Sequence, residues 1–502
     1  MFKKWLDKIK NKDLLIILAI IFLNVLPRLI YIFNNGFFID GDEAILGTVI
    51  QDFLNHHHLQ LFLYGQNYGF VLFEVLWSSI ISYFFGINIF SMKIAMLLFW
   101  LASMVILYYI GKKIFISRRW AILAVFLVSF MPVWFDWATK ARIGYLTALL
   151  LSNIIILLTL SKKNTIRIIT IGLSLIFIYY AQPLYLVIVA PFIIYYFFKG
   201  FSFKYSAIFV TSLLVSGAAF YFLLLDIGFN YQLQNKLGFN QIIRNIEHIF
   251  SYYSVAYSGR FFDAAALSAN YATTTDSAIF IVILLLVIIY DSYLVVKKKI
   301  GKIDTLFLFS VLIYIFFMLF YNGEEYPYRY LLPIFIPSVL LIILAIRQLP
   351  KPKLKKNLYI FLTIYTIFSL FCGIYSYNFV FPPINDGHTE VERIEYLGNF
   401  LHANNIKCVY ALDWIISQHI NYFVPDLSVR SQEIDPRRPQ DSVMVDSEQR
   451  SNECALVGLW YQVSSFTSLY KLKDIYIISN RYIVYLRPQR EDLLRLNFKL
   501  TD

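Results

Sequence analysis

The stretch FVLFEVLWSSIISYFF, Phe70 to Phe85, decides how the rest of the chain is laid out. It is apolar enough to be a short membrane span. If it crosses a bilayer, Lys112, Lys113, Arg118 and Arg119 fall outside and every later loop inverts. If it does not cross, six basic clusters share one side: Lys3–Lys12; Lys112–Arg119; Lys162, Lys163 and Arg167; Lys199 and Lys204; Lys297–Lys302; and Arg347–Lys356. Short cytoplasmic loops carry an excess of Lys and Arg, and the rule is strong when all short loops agree. The stretch is therefore expected to lie outside the bilayer. Glu74, Ser78 and Ser82 stand four apart in it, which predicts a helix with one polar stripe on an otherwise apolar surface.

The composition sets the same frame. Of 502 residues, 59% are hydrophobic, 19% aromatic and only 15% charged, against about 25% charged in soluble domains. Long apolar runs recur through most of the chain, the pattern of a polytopic membrane protein. The first run, Leu14 to Phe33, is too long for a signal-peptide core and lacks a small-residue cleavage site. The formal charge of +12 does not point to nucleic acid, because about half of the 44 Lys and Arg sit in the short loops just named.

The predicted fold is an α-helical polytopic membrane protein with about 11 transmembrane helices. The spans are 14–33, 91–110, 120–135, 144–160, 166–181, 184–198, 205–225, 277–296, 303–321, 330–347 and 357–377. Residues 34–90 then form one long outer loop with no Lys or Arg. Two interfacial helices are expected in it. One covers 42–55, where Leu46, Val49, Ile50, Phe53 and Leu54 recur at helical spacing; the other is 70–85. Asp226 to Asp276 reads as an outer loop rich in aromatics. The transmembrane module is placed at 1–377 and a C-terminal extracytoplasmic α/β domain at 378–502. That tail mixes a helix, Glu390 to His402, with β-like runs at 407–412, 442–445, 455–459, 475–478 and 482–486. Cys408 and Cys454 could pair there, but two cysteines do not make a disulfide framework, and the bond demands close Cα atoms. The expected setting is the plasma (inner) membrane, with the N-terminus cytoplasmic.

The polar residues that need an explanation gather at the outer face. They are Asp40, Asp42, Glu43 and Glu74 in the first loop, Asp136, Lys140 and Arg142 in the second, and Glu324, Glu325, Tyr328 and Arg329 later on. Arg28 is the main charge seen inside a span. Acids from one loop and bases from others suit a reaction on an anionic substrate at the membrane surface, where a carboxylate takes a proton and cations hold a phosphate.

Several of these features resemble one family. An apolar first span is followed by Asp42-Glu43 opening a helix. Then come YGQNYG (Tyr64 to Gly69), a second helix ending FFG (Phe84 to Gly86), a span starting near Lys93, the basic turn GKKIFISRR (Gly111 to Arg119), and a late RYLLP (Arg329 to Pro333). Together they resemble the GT-C membrane glycosyltransferases, in the branch of protein O-mannosyltransferases and lipid A aminoarabinose transferases. The resemblance covers roughly residues 10–160 well and the region to 350 by hydropathy and RYLLP. It implies an inverting transferase that takes a sugar from a polyprenyl-phosphate donor to a lipid, glycan or protein acceptor on the extracytoplasmic face. Asp42 would be the catalytic base, with Glu43, Glu74 and Asp136 as supporting acids. Arg329, Arg142, Lys140 and Arg28 would contact the donor phosphate. A divalent metal ion serves some members, and Asp42 and Glu74 are its weak candidates here. Where relatives of the aminoarabinose type carry a Glu-Lys-Pro-Pro-like stretch, this chain has GQNYGF, so donor and acceptor identity are not carried over.

Plainer readings stand beside these. Asp40 and Glu43 fit a capping box, which accounts for both without catalysis. Arg329, Lys140 and Arg142 could anchor at the interface, and Arg28 could snorkel or pair. His56-His57-His58 suggests metal, but adjacent helix residues point about 100° apart and rarely converge. A lipid-linked glycan flippase would need charges along its spans, an O-antigen polymerase or ligase has no need of an acidic helix after the first span, and a scaffold needs no site.

Overall fold

The computed structural model describes residues 11–34, 39–57, 59–63, 70–142, 144–199, 202–226, 239–258, 271–320, 327–380, 390–431, 453–459, 475–479 and 481–496. The YGQNYG stretch, His58, Glu324, Glu325 and the β-like run at 442–445 lie outside them. The chain divides into two compact units. One comprises residues 1–31, 96–139 and 144–382; the other comprises 32–95, 140–143 and 383–502. This grouping is not a single cut after residue 377. Residues 32–95 share a unit with the tail, because the helix Gly41–His56 packs on the tail helix Trp414–Phe423.

The helices are α1 (Asn11–Asn34), α2 (Gly41–His56), α3 (Leu72–Phe85), α4 (Ile89–Phe115), α5 (Arg118–Ser129), α6 (Val133–Trp137), α7 (Tyr145–Thr159), α8 (Thr165–Ala181), α9 (Leu184–Phe198), α10 (Phe203–Asp226), α11 (Phe239–Ser258), α12 (Tyr271–Val296), α13 (Lys302–Leu319), α14 (Phe335–Gln348) and α15 (Pro352–Val380). A 3₁₀ segment, Pro327–Ile334, leads into α14. Among the described residues, six helices are long and apolar enough to cross a membrane: Lys12–Phe33, Ile89–Phe115, Thr275–Val296, Lys302–Leu319, Arg329–Gln348 and Pro352–Ile374. Others, such as α7 and α9 at 15 residues each, rise only about 22 Å against a hydrocarbon core of about 30 Å.

The expected span 120–135 is not one helix. It stops at Ser129, and α6 restarts after Pro132. Proline lacks an amide hydrogen and disfavours helical backbone in the residue before it. The break leaves carbonyls without helical partners, and Arg28 supplies them. Its fully buried guanidinium donates to two of these, Ser129 O at 2.6 Å and Trp134 O at 3.2 Å, and to Asn24 O of its own helix at 3.0 Å. The ring of Trp100 lies beneath it, 5.0 Å away.

Two further expectations need correction. The supposed loop 226–276 contains α11, whose Ile242, Ile246, Ile249 and Tyr253 recur at helical spacing. Nor is Arg28 the main charge within the helical unit. Asp276, Asp291 and Asp304 are also buried in α12 and α13. Ser369 Oγ donates to Asp276 Oδ1 at 2.8 Å, so at least one of these acids is part of a built polar network. Asp276 and Asp291 lie toward opposite ends of α12, not at its middle.

The tail forms α16 (Glu390–Ala403), β1 (Cys408–Ala411), α17 (Trp414–Phe423), β2 (Ser428–Ser431), β3 (Cys454–Leu459), β4 (Ile475–Ile478), β5 (Tyr482–Leu486) and α18 (Arg490–Arg495). The sheet order is β2-β1-β3-β5-β4. β1 pairs parallel with β2 and β3, and β5 pairs antiparallel with β3 and β4. One face packs Leu397, Leu401, Ile416 and Ile420 from α16 and α17 against Val409, Val457 and Val484. β2 and α17 were not anticipated from the sequence. The register sets Cys408 opposite Cys454, with Cα atoms 4.5 Å apart, and the two form a disulfide. The pairing that two cysteines alone could not establish follows from strand register.

Candidate active site

The segment Asp40-Gly41-Asp42-Glu43 starts α2 through a complete capping box. Asp40 Oδ1 accepts from Glu43 N at 2.9 Å, and Glu43 Oε2 accepts from Asp40 N at 3.2 Å. These bonds satisfy amides that a helix N-terminus otherwise leaves without partners. The carboxylates also suit the positive end of the helix. Capping fixes where Asp42 points without using its side chain.

Each of the three acids also meets a cation. Lys93 Nζ lies 3.1 Å from Glu43 Oε1, and Ala141 N donates to the same oxygen at 2.8 Å. Lys140 Nζ lies 3.3 Å from Asp40 Oδ2. Arg142 places both Nε and Nη2 at 2.7 Å from Asp42 Oδ2, with Nε also 4.0 Å from Asp40 Oδ2. Three carboxylates thus face three cations. Burial acts to raise the Asp40 carboxyl, but Lys140 and Arg142 outweigh it and hold it well below the usual carboxylate range. The Glu43–Lys93 pair is almost fully enclosed, with side chains 2% and 6% exposed. From Gly41 to Ile50, Asp42 is the one residue of α2 that is not buried.

Segments remote in sequence hold α2 in place. α17 of the tail lies along it: Gln51 Nε2 donates to Tyr422 O at 3.2 Å, and His419 Nε2 lies 3.1 Å from Ile39 O. A Cβ on Gly47 would collide with the Tyr422 ring, so glycine is what permits the close approach. On the other side α3 turns Glu74, Ser78, Ser79 and Ser82 inward and leaves Trp77, Ile80, Tyr83, Phe84 and Phe85 exposed. That is the reverse of a helix in water and suits a surface covered by hydrocarbon.

The fold therefore brings together Asp40, Asp42, Glu43, Lys140 and Arg142. It adds Lys93, whose only sequence signal was a single lysine at the start of an apolar run. Glu74 is buried in the same unit, on α3. Asp136, Arg28 and Arg329 belong to the other unit. Tyr31 Oη donates to Asp136 Oδ1 at 3.1 Å. Arg329 Nη2 donates to Tyr330 Oη at 2.9 Å and its guanidinium lies over that ring. Arg28 is committed to the carbonyls at the α5–α6 break. Among the described residues, no three His, Cys, Asp or Glu side chains converge as a metal site. A divalent ion at Asp42 would have to displace Arg142 from an acid cluster whose charge is already balanced.

No family model matches the sequence, and no curated protein does. Among solved structures, ArnT from Cupriavidus metallidurans bound to undecaprenyl phosphate superposes with a TM-score of 0.61 and 11% identity. The match covers 94% of this chain and 99% of that one. The apo state of the same protein gives 0.58 and 10% identity over the same shares. At that identity the likeness is one of fold, and it extends over nearly the whole chain. The architecture expected from the sequence agrees with that shared fold: a mostly helical chain with long apolar helices and a small C-terminal sheet.

Proposed function

We propose that this protein is a glycosyltransferase that moves a sugar from a polyprenyl-phosphate donor to an acceptor on the extracytoplasmic face of the inner membrane. In this reading the basic loops and N-terminus are cytoplasmic, about 11 helices cross the bilayer, and α2, α3 and the tail lie outside. The fold is that of ArnT, a protein crystallised with undecaprenyl phosphate. The observation that carries the reading is Asp42. It opens α2, its neighbours serve as caps, and it alone of that buried stretch keeps access to solvent.

The proposed reaction is an inverting displacement. The acceptor hydroxyl or amine attacks the anomeric carbon as the bond to the lipid phosphate breaks. Asp42 takes the acceptor's proton, and Arg142 orients the carboxylate through Oδ2. General-base help of this kind contributes about 10²–10⁴ in rate. The departing lipid phosphate gathers negative charge, which pre-placed cations stabilise. Arg329 is assigned to it, since Arg grips phosphate through two donors. Lys140 and Arg142 act first on the acids, and Lys93 with Ala141 N holds Glu43 and so the start of α2.

The test is Asp42→Asn in membranes supplied with labelled polyprenyl-phosphate sugars. Loss of transfer by about 10² or more, in a variant that purifies as a monodisperse species, supports the assignment. Transfer at the wild-type rate removes Asp42 from the mechanism.

A further inference from the structure

An open groove runs between α8 and α10, with a volume of about 860 Å³. Its walls include Ile169, Leu173, Ile208, Val215 and Ala219. Two of the four hydroxyls that line it are bonded back to their own helix. Ser212 Oγ donates to Phe209 O at 2.8 Å and Ser216 Oγ to Ser212 O at 2.5 Å, so each presents its methylene instead. At the floor the helices nearly touch, because a Cβ on Gly172 would collide with Ser212. The outer rim is exposed: Leu173 is 41% and Val215 64% accessible.

The groove extends from Thr165 to Phe177 on α8, a rise of about 18 Å. One leaflet of hydrocarbon is about 15 Å deep, half of the full core. Its lower end is basic. Lys204 lies one helical turn before Ile208, on the groove face of α10, and Lys162 lies three residues before the first residue of α8; both are exposed. Lys163, by contrast, is engaged with α9 through Phe197 O and the Tyr196 ring. Basic pockets between helices on the cytoplasmic side hold anionic headgroups.

From this we infer that the groove is a binding site for an anionic glycerophospholipid of the cytoplasmic leaflet. One acyl chain lies along α8 and α10, and the headgroup sits between Lys162 and Lys204. The inference rests on the topology proposed above, in which the starts of α8 and α10 are cytoplasmic. It concerns a site of one-leaflet depth with its charge at the inner end, apart from the acid cluster.

The full-length protein is reconstituted with phosphatidylglycerol or phosphatidylcholine, and retained lipid is measured by native mass spectrometry. The wild type is expected to retain phosphatidylglycerol over phosphatidylcholine. Lys204→Ala reduces that preference about fivefold, the contribution of one basic side chain near a charged lipid surface. Val215→Trp fills the groove and abolishes retention of both. Equal retention of the two lipids, retention unaffected by Val215→Trp, or a retained polyprenyl chain in their place overturns the proposal. Lys204→Cys, probed with an impermeant thiol reagent on oriented vesicles, separates the two readings. Labelling from the outer side breaks the topology and the lipid site with it. Labelling from the cytoplasmic side without lipid preference breaks the lipid site alone.

Discussion

α2 and α3 come from one loop, and both were expected to be interfacial helices with one apolar side. They solve opposite problems. α2 buries nearly all of its first ten residues against α17 and α3, and its charged start is matched acid for base. α3 buries a glutamate and three serines and exposes its aromatics. Helical periodicity identifies two faces. It does not say whether the apolar face meets protein or lipid, because the same side chains are stable against either. Under the proposed function the two divide the tasks: α2 is the mount for the chemistry, and α3 is the side that meets the bilayer.

The largest effect expected on this comparison falls on α2. Asp42→Asn should lower transfer by about 10²–10⁴ and leave the protein folded, with a smaller loss of stability than the variants of the enclosed pair below, because Asn keeps the shape, the cap is untouched and Asp40 stays 4.0 Å from Arg142. A mount that loses its fold together with its activity would reduce Asp42 to a structural acid. Next is the enclosed pair. Glu43→Gln or Lys93→Met alone leaves an unpaired buried charge and should cost about 3–5 kcal/mol. The double variant should recover a large part of that. Unfolding of the detergent-solubilised protein measures both, and equal loss in the single and double variants would deny the pair its coupling.

Gly47→Ala tests the mount from behind. The added methyl must displace the buried Tyr422 ring, an overpacking cost of about 1–3 kcal/mol. An unchanged melting temperature would mean that α17 does not brace α2. The smallest effect is electrostatic. Asp40 is held below its ordinary pKa, so its contribution is fully present above the unfolded value of about 3.9. It is lost as pH falls through the lower folded value. The stability difference between wild type and Asp40→Asn should stay constant from neutral pH to about 5 and shrink only in stronger acid. A difference that shrinks near pH 6 instead would place the titration on another group.

Much of the site was legible as residues, and little of it as geometry. DGDE announced a capping box, and the box is formed at the residues named. The tail's β4 and β5 were bounded correctly because each is a short run of mostly β-branched and aromatic residues between polar ones. α11 was not expected although its isoleucines recur at helical spacing, because the aromatic residues among them suit an interfacial loop equally well. The break at Pro132 was also missed, because hydropathy continues smoothly through a proline that backbone sterics do not tolerate. Arg28, read as a phosphate contact, is engaged with the carbonyls that the break releases. A lone arginine in an apolar run carries no mark of which acceptors it will find.

The sequence by itself determined that this chain carries long apolar helices of membrane-spanning character, that its basic residues cluster in the short loops between them, and that Asp40 caps a helix. These follow from local quantities: transfer free energy, charge counts and hydrogen bonds between residues three apart. Only the tertiary structure decided that Lys93, Lys140 and Arg142 meet the three acids, that Cys408 faces Cys454, and that α17 braces α2. Those pairings join segments up to 380 residues apart. No local pattern records them, because they come from packing the whole chain at once.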